Sequence, residues 1–157
     1  MTRNDLYAYL ISEGVRRNYL VMGEFVVHLS EDKSKKIDLV WATRNGHPGP
    51  QDADNVGYWD LKAIFEIEGC NIRNWPNEFM RHISSFPVIS ELYGPDVQKF
   101  VVLYTSAYDR DWNHNLTQDE RDAEVQIRVA WGGQIVTVLN GRVIANEIQA
   151  RFPIPQV

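Results

Sequence analysis

The sequence predicts an α/β fold of the α+β kind, in which helices flank a central mixed sheet. The opening segment has apolar residues that recur at helical spacing. Three later segments of the first half alternate like strands, and the run 99–105 is too apolar for an edge strand. With 157 residues, of which 44% are hydrophobic, the chain can bury a substantial core. We therefore expect a single domain over residues 1–157.

The opening segment is predicted to be one amphipathic helix. Asn4 or Asp5 can cap its first turn, and the pattern continues to Gly14 and Arg17. The apolar positions that define its buried face are Leu6, Leu10, Ile11 and Val15.

Three strands are predicted to follow this helix. Residues 19–29 and 36–42 are rich in Val, Phe and Tyr and predict an antiparallel hairpin, with Gly23 as a bulge. The stretch 44–57 is rich in Gly, Pro and Asp and predicts a long loop. Residues 61–68 then predict the third strand.

The second half of the chain is predicted to alternate between helices and strands. Residues 74–94 and 117–132 carry helical spacing, the first with a kink at its internal proline. Residues 134–139 predict a strand that leads into the Asn-Gly pair at 140–141, a strong hairpin signal. The apolar residues of 142–152 fit a return strand and a terminal helix equally well.

Charge and composition restrict the class of protein. The net charge of −5 and the pI near 5.3 lower the expectation of a polyanion-binding protein without removing it. Cys70 is the only cysteine, so no internal disulfide can form. We find neither a signal peptide nor a run near the ~18 apolar residues that span a bilayer. The sequence thus predicts a soluble, cytoplasmic protein that does not interact with membranes.

Acidic residues lie inside two of the predicted strands, where apolar residues are the norm. Asp38 belongs to the second strand, and Glu66 and Glu68 share one face of the third. Unpaired carboxylates among apolar neighbours cost several kcal/mol in general unless a cation or hydrogen bonds satisfy them. Oxygen ligands of this kind suit magnesium, manganese or calcium rather than zinc. The pattern therefore predicts a metal site, and the alternative is the exposed face of a half-solvated sheet.

These residues resemble the motif of the PD-(D/E)XK nuclease superfamily. The resemblance covers about residues 5–105 and rests on the order helix, three strands, helix and strand, with the acids in the second and third strands. Ile37 and Asp38 take the place of the family's Pro-Asp pair, Glu66 takes that of its second acid, and Glu68 stands where the family has lysine. The resemblance implies a restriction-endonuclease-like αβββαβ core.

The resemblance also implies roles for the motif residues. Asp38 and Glu66 are expected to bind Mg²⁺, with Mn²⁺ as a substitute, together with the backbone carbonyl of Ile67. Glu68 cannot supply the positive charge of the family lysine, but it can accept a proton from a metal-bound water or hold a second ion. Lys36 precedes Asp38 by two residues on the same predicted strand face and is the candidate replacement for that lysine.

Further residues are candidates with open alternatives. Glu13 can reach the site from the opening helix, or it is an ordinary solvated glutamate. Asn71 either positions a polar group at the site or only caps the turn that follows the third strand. Arg73, Arg81 and His82 are expected to contact nucleic-acid phosphates if the second helix flanks the cleft.

The resemblance implies a magnesium-dependent endonuclease that hydrolyses phosphodiester bonds in DNA, with RNA left open as a substrate. Because the chain is small, an endonuclease of this size is expected to act as a homodimer, to recognise DNA structure, or to depend on a partner protein. The alternative is a catalytically inactive module of the same fold that serves nucleic-acid binding or protein assembly, which the missing lysine and the acidic charge favour.

Overall fold

The structure, a computed structural model, describes residues 3–44, 59–69, 86–104, 136–140 and 144–155. Within these ranges it contains three helices and five strands. In chain order they are α1 (Arg3–Arg16), β1 (Leu20–His28), β2 (Ser34–Arg44), β3 (Trp59–Gly69), α2 (Phe86–Tyr93), β4 (Gln98–Tyr104), β5 (Val136–Asn140) and α3 (Ile144–Arg151).

The five strands form one mixed sheet in the order β1-β2-β3-β4-β5. The pairs β1–β2 and β2–β3 are antiparallel, whereas β3–β4 and β4–β5 are parallel. The predicted α+β class and the predicted mixed central sheet are therefore confirmed. The described elements also follow the order helix, three strands, helix and strand; membership of the nuclease superfamily stays a prediction.

Helices cover both faces of the sheet and enclose two apolar clusters. On one face α2 contributes Phe86 and Ile89 to a cluster with residues of β1 to β4. On the other face α1 contributes Leu6 and Leu10, and α3 contributes Ile144 and Ile148. Because both faces are covered, the central strands carry nearly continuous apolar runs, as expected for β4, where residues 100–102 are fully buried.

The alternation of side chains along β2 breaks next to Asp38. Ile37 packs in the cluster under α2, whereas Leu39 packs in the cluster under α1 and α3, although the two residues have the same parity. Opposite Asp38, Glu24 of β1 has a φ of 50°, which non-glycine residues rarely adopt. The β1–β2 register stays constant across Gly23, so the bulge predicted there does not form and the irregularity falls on Glu24.

The last element that the structure describes is a helix. β5 pairs in parallel with β4, and α3 follows within a few residues. Of the two alternatives for residues 142–152, the terminal helix is confirmed. The hairpin prediction from residues 140–141 is wrong, because β5 pairs in parallel with β4 and the next described residues form α3 instead of a return strand.

Several predicted elements fall outside the part of the chain that the structure describes. These are the predicted loop 44–57 apart from Arg44, which ends β2, the beginning of the predicted helix 74–94, and the predicted helix 117–132. Within the described ranges, none of the helices has the length and apolar character needed to cross a membrane.

Candidate functional site

Asp38 lies where β2 and β3 cease to pair. The first pair of the β2–β3 ladder is Leu39 with Phe65. Directly beyond this pair, the Asp38 carboxylate makes the next contact between the two strands. Its Oδ2 accepts a hydrogen bond from the backbone N–H of Ile67 at 2.8 Å. The carboxylate is thereby held against the peptide that joins Glu66 to Ile67.

The other oxygen of Asp38 faces α1. Its Oδ1 accepts a hydrogen bond from the Arg3 guanidinium at 3.2 Å, and the two side chains form an ion pair that is partly exposed to solvent. The same guanidinium donates to the Tyr7 hydroxyl at 3.3 Å and lies 4.9 Å from the centre of the Tyr7 ring. Arg3 and Tyr7 are spaced by one helical turn, which is why both reach the same carboxylate.

Glu66 is a buried acid on the neighbouring strand. It is 3% exposed, and its Oε1 lies 3.6 Å from the Lys35 ammonium. Its neighbours Phe65 and Ile67 pack in the cluster under α1 and α3. Strand alternation therefore directs Glu66 toward the face that α2 covers, whereas Asp38 reaches α1.

The electrostatic field of both acids nevertheless reaches one hydroxyl group. The pKa of Tyr7 is raised to about 12, first by burial and then by the negative charge of Asp38 and a hydrogen bond to it. The charge of Glu66 adds to the rise in this pKa, and the charge of Arg3 opposes it. Asp38 and Glu66 are thus electrostatic neighbours that form ion pairs with different cations.

The donor set suits a hard divalent cation in its chemistry. Mg²⁺ typically takes one or two carboxylates and keeps several waters, and Asp38, Glu66 and the Ile67 carbonyl offer oxygens of that kind. In the part of the chain that the structure describes, however, no group of three or more acidic, His or Cys side chains could hold a metal. A metal shared by the two acids requires Asp38 to turn from Arg3 and Glu66 to turn from Lys35.

The lysine nearest the acids is not the one that the sequence pattern favours. Lys36 is exposed and lies opposite Val26 on β1, whereas Lys35 is half-buried and pairs with Glu66. Lys35 pairs in register with Val27, which belongs to the cluster under α2, so Lys35 lies on the face of Glu66, whereas the Asp38 side chain reaches α1. Lys35, Arg3 and Tyr7 were all missed because each depends on tertiary contacts.

Two neighbouring arginines stabilise the negative charge of the Glu13 carboxylate. It accepts hydrogen bonds from Arg16 at 2.8 Å and from Arg17 at 2.5 Å. Burial opposes the ionisation of Glu13, but these hydrogen bonds outweigh burial and lower the pKa of its carboxyl group. The structure therefore engages Glu13 with the two arginines and does not bring it to Asp38.

Arg17 joins the C-terminal ends of α1 and α3. Its guanidinium is buried and donates to the backbone carbonyl of Phe152, to Glu13 and to the Gln149 side chain. The guanidinium also lies 6.0 Å from the Trp41 ring. Glu13 thus belongs to a clamp between helices.

The remaining candidates lie outside what the structure describes. This holds for the side chain of Glu68 and for Asn71, Arg73, Arg81 and His82. Their predicted roles stay predictions.

Comparison with protein-family models, with curated proteins and with solved structures finds no match for this chain.

Proposed function

We propose that this chain is a metal-dependent nuclease that hydrolyses phosphodiester bonds in DNA. The observation that carries the proposal is the 2.8 Å hydrogen bond between Asp38 Oδ2 and the Ile67 amide. It holds an acid of the second strand against the Glu66–Ile67 peptide of the third strand, next to a buried carboxylate. These are the positions at which the family motif has its metal-binding acids.

The proposal assigns roles to this chain's own residues. Asp38, Glu66 and the Ile67 carbonyl would hold the ion once the two acids turn from Arg3 and Lys35 toward a common position. Mg²⁺ or Mn²⁺ would supply positive charge at the phosphate and would lower the pKa of a water. Lys35 replaces Lys36 as the proposed source of the positive charge that Glu68 lacks, because its ammonium is the one beside Glu66. Glu68 keeps the role proposed from the sequence, to position or deprotonate the attacking water.

A cleavage assay with isosteric variants tests the proposal. Plasmid, single-stranded DNA and single-stranded RNA are incubated with the wild type, Asp38→Asn and Glu66→Gln over a series of Mg²⁺ and Mn²⁺ concentrations. Asp32→Asn serves as the matched control because Asp32 is an exposed acid in the turn before β2. We expect metal-dependent cleavage by the wild type and the control. Both site variants should lose at least the roughly 10- to 100-fold that replacement of a residue hydrogen-bonded to a metal ligand typically costs. Unchanged cleavage in Asp38→Asn and Glu66→Gln contradicts the assignment.

A catalytically inactive module for nucleic-acid binding or protein assembly is the second candidate. The observation that favours it is that each acid already has a protein cation, Arg3 for Asp38 and Lys35 for Glu66. Such pairs neutralise the acids without a metal. Calorimetric titration with Mg²⁺ and Mn²⁺ separates the candidates: binding that Glu66→Gln abolishes favours the enzyme. Absence of metal binding, together with metal-independent binding of labelled DNA in an anisotropy assay, favours the module.

A further inference from the structure

We propose that two copies of this chain pair through the outer edge of β1 and the adjacent flank of α1, around a two-fold axis at Val21. The surface consists of Ile11 and Val15 of α1 and residues Leu20–Gly23 of β1, and we call it the apolar edge. The inference does not depend on the proposed nuclease activity, because it uses none of the residues assigned to that site.

β1 lies at one border of the sheet. Within the residues that the structure describes, it pairs on one side only, with β2. An unpaired strand edge presents backbone N–H and C=O groups that can pair with another strand, and proteins usually protect such an edge with charged residues or proline. The segment Leu20–Gly23 contains neither. This part of β1 is therefore open to a further strand.

The backbone limits the length of this open segment. Asn18 has a φ of 63° and Glu24 a φ of 50°, and extended strands do not contain such values. Both residues are three positions from Val21, so the extended backbone between them is centred on Val21. A pairing strand therefore has a short, defined length and a defined centre.

Exposed apolar side chains are concentrated at this segment. Leu20 is 39% exposed, Ile11 43% and Val15 58%. In the part of the chain that the structure describes, the remaining exposed large apolar side chain is Leu92 of α2, on the opposite face of the sheet. The exposed apolar surface therefore borders β1.

The two flanks of α1 differ in what they contact. Arg17 donates to Glu13 and to Gln149, so one flank of α1 faces α3. Because successive residues of an α-helix are about 100° apart, Ile11 and Val15 lie on the other flank. That flank faces the border of the sheet where β1 lies.

The exposed turn of α1 lies at the level of Val21. A Cβ built at Gly14 would be 2.6 Å from a Val21 methyl group and 2.5 Å from the Trp41 ring nitrogen. α1 therefore runs over the pair formed by Val21 and Trp41. Ile11 and Val15, on either side of Gly14 in the helix, flank the same point of the strand.

A second copy fits this surface because the surface is complementary to itself, as a two-fold interface requires. Antiparallel pairing centred on Val21 sets Val21 opposite Val21 of the second copy and Leu20 opposite Met22 of the second copy. Glu24 then falls opposite Asn18 of the second copy, so this carboxylate meets no like charge. A two-fold axis perpendicular to the sheet keeps both α1 helices on one face, where their exposed apolar turns meet at the axis.

Sedimentation velocity of the full chain over a series of concentrations tests the inference. Leu20→Lys and Val15→Lys introduce a charge into the apolar edge at exposed positions, and circular dichroism verifies that each variant is folded. Leu92→Lys is the matched control, because Leu92 is a leucine of similar exposure, 37%, away from this surface.

We expect the wild type and Leu92→Lys to form dimers with the same dissociation constant. Leu20→Lys and Val15→Lys should each raise that constant by about tenfold or more, because every substitution occurs twice at a two-fold interface and a lysine on a strand edge opposes pairing.

A cysteine placed on the axis tests the register. Directly opposite Cα atoms of antiparallel strands lie about 4.5–5.5 Å apart, which is within the range of disulfides. In a Cys70→Ser background, Val21→Cys should therefore form a covalent dimer on mild oxidation. Leu20→Cys in the same background should not, because the two Leu20 residues do not face each other.

Three results would overturn the inference. The first is a wild type that stays monomeric at every concentration, which leaves the apolar edge to a strand of a different protein. The second is a dimer that Leu20→Lys and Val15→Lys do not weaken, because the interface then lies elsewhere. The third is cross-linking of Val21→Cys that does not exceed that of Leu20→Cys. None of these results bears on the cleavage assay, so the two proposals fail separately.

Discussion

Asp38 Oδ2 and the backbone amide of Ile67 lie 2.8 Å apart, and this hydrogen bond continues the contact between β2 and β3 beyond the last paired residues. At this position the Asp38 carboxylate, instead of a backbone carbonyl, accepts the hydrogen bond from the β3 amide. Different substitutions of Asp38 can therefore separate its contribution to the stability of the fold from its proposed role as a metal ligand.

Asp38→Asn is expected to keep the fold, because an amide oxygen can still accept from the Ile67 N–H. Asp38→Ala leaves that half-buried donor without its acceptor, which costs about 1–3 kcal/mol. Urea unfolding measures the difference between the two variants. Equal stability of the two variants contradicts a structural role for the hydrogen bond.

Tyr7 is expected to make stability fall at high pH. Its folded-state pKa is raised from 10.0 to about 12, so between these values the folded chain keeps a proton that the unfolded chain releases. This contribution is fully present below pH 10 and is lost as the pH rises toward 12. Urea unfolding across this window should show a steeper loss for the wild type than for Tyr7→Phe, and parallel curves contradict the assignment.

The Lys35–Glu66 pair is expected to show strong coupling. Lys35→Met and Glu66→Leu each leave a partly or fully buried charge without its counter-ion. Each should cost about 2–3 kcal/mol, below the usual figure for a fully buried pair because Lys35 keeps some exposure.

The double variant Lys35→Met/Glu66→Leu should regain most of that loss, since neither charge of the pair is left without its counter-ion. Lys62→Met is the matched control, because Lys62 pairs with the exposed Asp60 and should change stability by less than about 0.5 kcal/mol. Urea unfolding of all four variants measures the coupling. Additive losses in the double variant contradict it.

Arg17 is expected to be essential for the attachment of α3 to α1. Arg17→Met removes hydrogen bonds to Phe152, Glu13 and Gln149 and should destabilise the fold by about 3 kcal/mol. Arg16→Met, at the exposed neighbouring position, should cost less than about 0.5 kcal/mol. Chemical denaturation compares the two, and similar losses show that the clamp contributes little.

Gly14→Ala is expected to destabilise the protein although alanine is the better helix former. Helix propensity alone favours alanine by about 0.5–1 kcal/mol. A Cβ at Gly14 meets the Trp41 ring nitrogen at 2.5 Å and a Val21 methyl group at 2.6 Å, and such overpacking typically costs about 1–3 kcal/mol.

Trp41 has little freedom to move away from this Cβ, because its ring nitrogen donates to the Leu10 carbonyl at 3.1 Å. Thermal unfolding of Gly14→Ala, with the exposed Ser12→Ala as control, measures the sign of the change. A stabilised Gly14→Ala contradicts the packing argument.

Local periodicity predicted the elements that pack by strict repetition. Helical spacing identified α1, and alternating or continuous apolar runs identified β1 to β4 within one or two residues of their ends. These patterns succeed because each element buries a regular face in one of the two clusters.

The site was predictable only in part, because it lies where that regularity ends. The sequence placed Asp38 and Glu66 on adjacent strands, which the sheet order bears out. It favoured Lys36 over Lys35 because Lys36 has the same parity as Asp38, whereas the contact of Lys35 with Glu66 joins two strands and leaves no local signal. The contacts of Asp38 with Arg3 likewise bridge distant parts of the chain and leave no periodic signal.

β3 has an antiparallel neighbour on one side and a parallel neighbour on the other, and this mixed pairing has a consequence for folding kinetics. The meander of β1, β2 and β3 joins segments close in sequence, so its loops close at low entropic cost. β4 and β5 pair in parallel, so each joins the sheet only after a long segment of chain has crossed over. Contacts between residues far apart in sequence raise the contact order and slow folding. We expect nucleation in the N-terminal meander, with β4 and β5 adding to a preformed template.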